Sequence, residues 1–211
     1  MGDLSFSLDE PYSGLIFDCD GTLVDTAPIH FLAVNEAMRP LGLEMAAEWY
    51  FARVGLTPEA LFAEYERVHG VKIDTAELSL RYGPIFTANL ERAKEVAEVA
   101  EVARANFGNV PMAVASNGHR KNVLATLEAT GLISLFETVV SADEVAKGKP
   151  APDVFLEAAR RIGVLPADCI VFEDSDEGLE AARRAGMRSR DIRLVRTESL
   201  SVVRSPLSVK P

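Results

Sequence analysis

Leu15-Ile16-Phe17-Asp18-Cys19-Asp20-Gly21-Thr22-Leu23-Val24-Asp25-Thr26 is the stretch on which the fold of this chain turns. A short apolar run that ends in two acids, a glycine and a hydroxyl reads as a buried strand delivering carboxylates to a loop at its C-terminal tip. Side chains two apart on an extended chain point the same way, so Asp18 and Asp20 project together while Cys19 faces elsewhere. Carboxylates this close repel one another unless a cation stands beside them. No histidine or thiol cluster is in register with these acids, so hard oxygen ligands favour Mg²⁺ over zinc. An acidic turn capping the next helix is the plainer alternative, and the rest of the chain has to decide.

The 211 residues, 48% hydrophobic and 26% charged, suit one sizeable domain or a core with an insertion. There is no run of about 18 uncharged apolar residues and no charged-then-apolar leader, which predicts a soluble, cytoplasmic chain with no membrane partner. A monomer is expected. With 32 acids against 22 bases the formal charge is -10, which argues against a nucleic-acid partner. A small phosphorylated metabolite still fits, because a local cation and one lysine can outweigh a distant acidic surface. Cys19 and Cys169 each lie beside an apolar strand and match no metal-binding spacing, so both are expected to be buried, reduced thiols.

After Thr26 the pattern turns helical, from about Pro28 to Leu41, with Gly42 as its stop. It stays helical over Ala46 to Arg53, Pro58 to His69, Asp74 to Tyr82 and a long stretch from Pro84 to Asn106, whose Glu-Val-Ala tract reads as one amphipathic face. Residues 27–100 are therefore expected to form a helical cap inserted after the first strand, with 1–26 and 101–211 as an α/β core. From there strands and helices alternate, the signature of a parallel sheet wrapped by helices. The strands are Met112 to Ala115, Thr138 to Val140, Ile170 to Phe172 and, last, Ile192 to Val195; the helices are Arg120 to Ala129, Pro152 to Ile162 and Glu177 to Ala185. From Ser199 to Pro211 an edge strand or an ordered tail is expected. The fold class is a Rossmann-like α/β sheet with a small helical cap.

In open parallel sheets, sites form outside the carboxyl ends of the strands. The residues just past each strand are Asp18 and Asp20, then Ser116-Asn117, then the loop around Lys149, then Glu173-Asp174. Those groups suit phosphate transfer. The Ser116 hydroxyl and the backbone amides of Asn117-Gly118 can hold phosphoryl oxygens, although Ser or Asn there can also serve as a plain helix cap. Lys149 is framed by Pro150 and Pro152, which suits an ammonium aimed at developing negative charge, whereas Lys147 lacks that framing.

The first stretch resembles the nucleophile motif of the haloacid dehalogenase superfamily, D-x-D-G-[TV]-[LI]-x-D. Lys149-Pro150-Ala151-Pro152-Asp153-Val154-Phe155 resembles that family's K-P-x-P-D-x-F, and the segment from Glu173 to Met187 resembles E-D-S-x-x-G-x-x-A-A-x-x-A-G-M. The motifs keep the family's order and span residues 15 to 187. The resemblance implies that Asp18 attacks phosphorus to form an aspartyl-phosphate. Asp20, protonated, would give its proton to the leaving alkoxide and then take one from the hydrolytic water. Lys149, Ser116 and Asn117 would hold the phosphoryl group. Mg²⁺ would be bound by Asp18, Asp174 and the backbone carbonyl of Asp20, with Glu173 a ligand or the holder of a ligating water. Thr22 would touch the phosphate or support the turn.

A helical insertion directly after the first motif resembles the beta-phosphoglucomutase-like branch, and the flanking segments are most similar to bacterial fructose-1-phosphate phosphatases. That resemblance would put Thr26 in a hinge and His30 near the leaving group; a lone helix histidine can equally be structural. The stretch Arg53-Val54-Gly55-Leu56-Thr57-Pro58 departs from the mutase pattern G-x-S-R, with proline where a mutase carries an arginine for a second phosphate, although Arg53 could substitute. Hydrolysis of a sugar phosphate is thus expected, with the mutase as the alternative. A phospho-accepting receiver domain fits less well, since receivers have no acid two residues after the phosphorylated Asp and no insertion of this size. A non-enzymatic binding role is the remaining option.

Overall fold

The computed structural model describes residues 8, 10–54 and 58–194. The expected tail from Ser199, residue 195 and nearly all of the lead-in lie outside the described residues. The strands are β1 (Gly14–Phe17), β2 (Val24–Asp25), β3 (Lys94–Glu95), β4 (Met112–Ser116), β5 (Thr138–Ser141), β6 (Cys169–Glu173) and β7 (Arg188–Asp191). The helices are α1 (Ala27–Met38), α2 (Ala47–Phe51), α3 (Pro58–His69), α4 (Thr75–Ala88), α5 (Ala97–Asn106), α6 (Arg120–Ala129), α7 (Asp153–Ile162) and α8 (Asp176–Arg184).

Five strands make one parallel sheet in the order β5-β4-β1-β6-β7, with β1 at its centre. Alternation along the strands divides the core into two layers. Leu15 and Phe17 of β1 join Met112, Val114, Ile170 and Phe172 on the face covered by α5 and α6. Ile16 joins Ala113, Ala115, Cys169 and Val171 on the face covered by α7 and α8. The rings of Phe17 and Phe172 stack at 4.9 Å between centroids, which fixes β1 against β6 one residue before the acids. Burial on both faces is why these strands read as near-continuous apolar runs.

The helices α1 to α4 enclose an apolar cluster of their own, including Val34, Met38, Met45, Phe62, Tyr65 and Leu78. The chain leaves for them through β2 and returns through β3, and these two short strands pair antiparallel, Val24 with Glu95 and Asp25 with Lys94.

Three sequence expectations fail here. The stretch from Pro84 to Asn106 is not one helix: α4 runs through Pro84 to Ala88, and β3 intervenes before α5. Pro84 is exposed, as is Leu80, whose carbonyl loses its helical partner to the proline ring, so water can serve that carbonyl and the helix continues. Val99 and Ala100, expected among the inserted helices, pack instead with Leu15 and Phe17. The last strand is Arg188–Asp191 rather than Ile192–Val195; residues 192–194 are helical, and Ile192 plugs the core.

Candidate active site

The loop after β1 carries Asp18 into the space above the sheet, where Lys149 reaches it from the loop after β5. Lys149 Nζ donates to Asp18 Oδ1 and to Glu173 Oε1, each at 2.6 Å, and all three groups are buried. Burial alone would strip the proton from this lysine, but the charges of Asp18 and Glu173 win and hold its pKa above the ordinary lysine range. Glu173 is itself gripped from behind. Its Oε2 accepts from the Asp174 and Ser175 amides at 2.8 Å each and from Ser175 Oγ at 2.9 Å. The close approach of α8 that makes this possible needs Gly178, where a Cβ would lie 1.8 Å from Glu173 Oε1.

Asp174 is held by Thr22, whose hydroxyl donates to Asp174 Oδ1 at 3.1 Å. Thr22 is fully buried, and the contact found is neither of the two roles expected for it but support of an acidic side chain. Gly21 has φ +88°, and a Cβ there would stand 2.1 Å from Asp174 Oδ2. Asp18, Glu173 and Asp174 offer carboxylate oxygens that lie within 4.8 Å of one another. Burial pushes Asp18 well up, Lys149 pulls it back, and Glu173 and Asp174 add to the upward push. Burial and then Glu173 raise Asp174 to about 6. One lysine therefore leaves this cluster short of positive charge, and an all-oxygen donor set suits a hard cation. The Asp20 carboxylate is not among these donors.

Asp20 is turned toward the inserted helices. Its Oδ1 accepts from Thr26 Oγ1 at 2.8 Å and lies 3.3 Å from His30 Nε2. Its Oδ2 faces the other way, 3.3 Å from the point a Gly118 Cβ would occupy, and Ser116 Oγ is 3.2 Å from the same point. Burial raises the Asp20 pKa, but the hydrogen bonds from His30 and Thr26 outweigh it and leave the carboxyl below its ordinary value. His30 and Thr26 both stabilise the charged form of Asp20, against the protonated form that the resemblance implies.

Ser116 Oγ accepts from the Gly118 amide at 2.9 Å, which keeps the serine proton available to a ligand but occupies one of the expected backbone donors. The Asn117 carboxamide is committed to the Lys149 main chain: Oδ1 accepts from Lys149 N at 2.7 Å and Nδ2 donates to Lys149 O at 3.2 Å. It ties the loop after β4 to the loop after β5. Arg53 is paired with Glu64 at 3.1 Å and lies 4.0 Å over the Trp49 ring. Cys19 and Cys169 are free and buried, as expected.

Sequence reasoning missed Tyr50 and Tyr82, both from the inserted helices. Burial pushes the Tyr50 phenol to about 12 and the Tyr82 phenol far above its ordinary range, and the charge of Asp20 contributes to both shifts. Helical periodicity marks such tyrosines only as half-buried, so no local signal could have found them.

Residues 15–191 match the model of the haloacid dehalogenase-like hydrolases. The chain belongs to that family. The hydrolase is 37% identical over 186 residues to the fructose-1-phosphate phosphatase YqaB of Escherichia coli K12, covering 88% of this chain and 99% of that one. Its fold superimposes on CbbY from Rhodobacter sphaeroides in complex with phosphate, with TM-score 0.73, 28% identity and 84% of each chain covered. It also superimposes on a haloacid dehalogenase family hydrolase from Deinococcus radiodurans with bound phosphate and sodium, at TM-score 0.66 and 27% identity, over 85% of this chain and 80% of that one. Among the described residues of the hydrolase, no helix is long and apolar enough to cross a membrane.

Proposed function

We propose that this hydrolase is a phosphatase of small sugar phosphates, fructose 1-phosphate among them, acting through a phosphorylated Asp18. The observation that carries this is the Lys149 ammonium shared between Asp18 and Glu173 at the carboxyl ends of three parallel strands. A nucleophile, a fixed cation and an acidic cluster meet where an open α/β sheet places its ligands.

Asp18 attacks phosphorus in line and the ester bond breaks, which divides one difficult displacement into two. Lys149 stands against the negative charge of the phosphoryl oxygens, and Ser116 donates its hydroxyl proton to one of them. Asp20 handles the proton at Oδ2, the oxygen on the Ser116 side. An anionic phosphoryl group arriving there opposes the ionised carboxylate and favours proton uptake, so the acid is made as substrate binds. That proton passes to the leaving alkoxide, and Asp20 then accepts one from the water that hydrolyses the acyl phosphate. Mg²⁺ would be held by Asp18 and Asp174, with Glu173 beside them, and when bound it supplies neutralisation of phosphoryl charge.

Residues 27–100, apart from the α5 residues that pack against the sheet, act as the cap over the core made by 1–26 and 101–211. Support comes from the β2–β3 pairing where the chain leaves and returns, and from His30 reaching Asp20 out of the insertion. Hydrolysis is favoured over a mutase reaction, because position 58 is proline and Arg53 is engaged by Glu64 and Trp49. The likeness to the E. coli phosphatase over nearly its whole length supports the choice of fructose 1-phosphate.

The test is phosphate release from fructose 1-phosphate, beta-glucose 1-phosphate and 6-phosphogluconate, with Mg²⁺ or EDTA, for the wild type and Asp18→Asn. Release that needs Mg²⁺ and vanishes in the variant is expected. Conversion of beta-glucose 1-phosphate to glucose 6-phosphate without release would overturn hydrolysis in favour of the mutase.

A further inference from the structure

The contacts that begin at Asp20 do not stop at His30. While His30 Nε2 lies 3.3 Å from Asp20 Oδ1, the other ring nitrogen, Nδ1, is hydrogen-bonded to the Tyr82 phenol. Tyr82 comes from α4 and His30 from α1, so two elements define one imidazole. The ring is also held by its face: His30 stacks on Phe86 at 4.6 Å between centroids and 23° between planes, and Tyr82 stacks on the same Phe86 at 5.9 Å and 19°.

A neutral imidazole has one donor nitrogen and one acceptor. Asp20 Oδ1, which already accepts from Thr26 Oγ1, faces Nε2 at 3.3 Å as an acceptor, so the hydrogen belongs on Nε2 and Nδ1 is left needing a donor. The Tyr82 hydroxyl is that donor. With a partner incapable of donating, the imidazole would gain nothing from keeping its hydrogen on Nε2 except the single contact to Asp20, and the ring would be free to turn about its stack on Phe86.

We propose that Tyr82 is a positioning residue that fixes His30 in its Nε2–H form and aims it at Asp20 Oδ1, keeping Oδ2 turned to the phosphoryl side. Tyr82 touches neither Asp18 nor Lys149 and acts through His30. This rests on the assignment of Asp20 as the group that moves the proton, so its test has one readout independent of catalysis.

Tyr82→Phe deletes one oxygen and keeps the stack on Phe86. The chain has three histidines, so the ring nitrogens of His30 can be assigned by nitrogen-15 NMR against a His30→Gln control. In the wild type the His30 signals report hydrogen on Nε2; in Tyr82→Phe they move toward a mixture of tautomers. With fructose 1-phosphate as the probe substrate, kcat falls about tenfold while KM changes less than about twofold, the pattern of a group that matters in the transition state rather than in binding. In the His30→Gln background, Tyr82→Phe costs nothing further, because the two residues act as one unit. Unchanged His30 signals overturn the proposal whatever the activity, as do shifted signals with unchanged kcat, or losses that add. A wild-type protein that releases no phosphate, but whose His30 signals respond to Tyr82→Phe, supports the fixed imidazole and overturns the phosphatase reading instead.

Discussion

Lys149 and Glu173 are bound to each other at 2.6 Å in a space where both are almost wholly excluded from water. The other glutamate oxygen is filled by two amides and a hydroxyl, all of them donors. Glu173→Gln can satisfy those donors only by turning its carbonyl oxygen toward them, which points its NH₂ group at the lysine ammonium. Lys149 then loses its aim. Activity is expected to fall about 10- to 100-fold, the usual cost of losing a group that orients a catalytic one, with the circular dichroism spectrum retained. A glutamine variant of wild-type activity would mean that the lysine is placed by Asp18 alone.

Gly21 faces an acid almost as closely as Gly178 does, with its missing side chain 2.1 Å from Asp174 Oδ2 and φ +88°. Gly21→Ala is expected to cost roughly 1–2 kcal/mol from the left-handed backbone alone. It should also displace Asp174. The check is a thermal melt with and without Mg²⁺: the stabilisation conferred by Mg²⁺ shrinks in the variant, whereas a purely local backbone effect would leave it intact.

Burial and then Glu173 push the Asp174 carboxyl up to about 6 from the ordinary 3.8. Below that pH a cation must displace a proton, so apparent Mg²⁺ affinity should fall by up to about tenfold per pH unit on the acid side and level off above about pH 7. Without metal the folded chain keeps, between pH 3.8 and about 6, a proton that the unfolded chain has released. This group's contribution to stability therefore declines as pH rises across that window. Calorimetric titration with Mg²⁺ from about pH 5 to about pH 8 checks the first statement; affinity that does not vary would remove Asp174 from the cation site.

Burial pushes the Cys19 thiol well above its usual range, and burial followed by the charge of Asp168 takes Cys169 to about 11. Neither forms much thiolate at neutral pH. A thiol reagent should label the native protein slowly and both cysteines at once on unfolding. Rapid labelling of one thiol in the native protein would contradict the burial.

The site was legible in the sequence where chemistry is local. Asp18 and Glu173 each follow an apolar run and Lys149 directly precedes Pro150 and Pro152, and their strand ends converge because parallel sheets bring like ends together. Asn117 and Thr22 were legible as neighbours of the site but not in their contacts, since what they hold, the Lys149 main chain and Asp174, lies 32 and 152 residues away. Tyr82 was not legible at all, because its meaning depends on how α4 lies against α1. In the fold, the strand Arg188–Asp191 escaped notice because it carries no apolar residue; it exists through its pairing with β6, from Ile170 with Arg188 to Glu173 with Asp191. Pro84 misled because a proline is read as a boundary, and an exposed one need not be.

The order β5-β4-β1-β6-β7 sets the sequence in which heat takes the site apart. Sheets open from their margins, and the amides of residues 15–17 are flanked by paired strands on both sides, so they exchange last. Lys149 hangs from the loop beyond β5, a marginal strand, while Asp18 rides on the innermost one. Fraying at β5 frees the ammonium while the nucleophile's strand is still locked in place. Inactivation on warming is therefore expected to precede global melting, with activity lost at a lower temperature than the circular dichroism signal, leaving longest a nucleophile without its counter-charge.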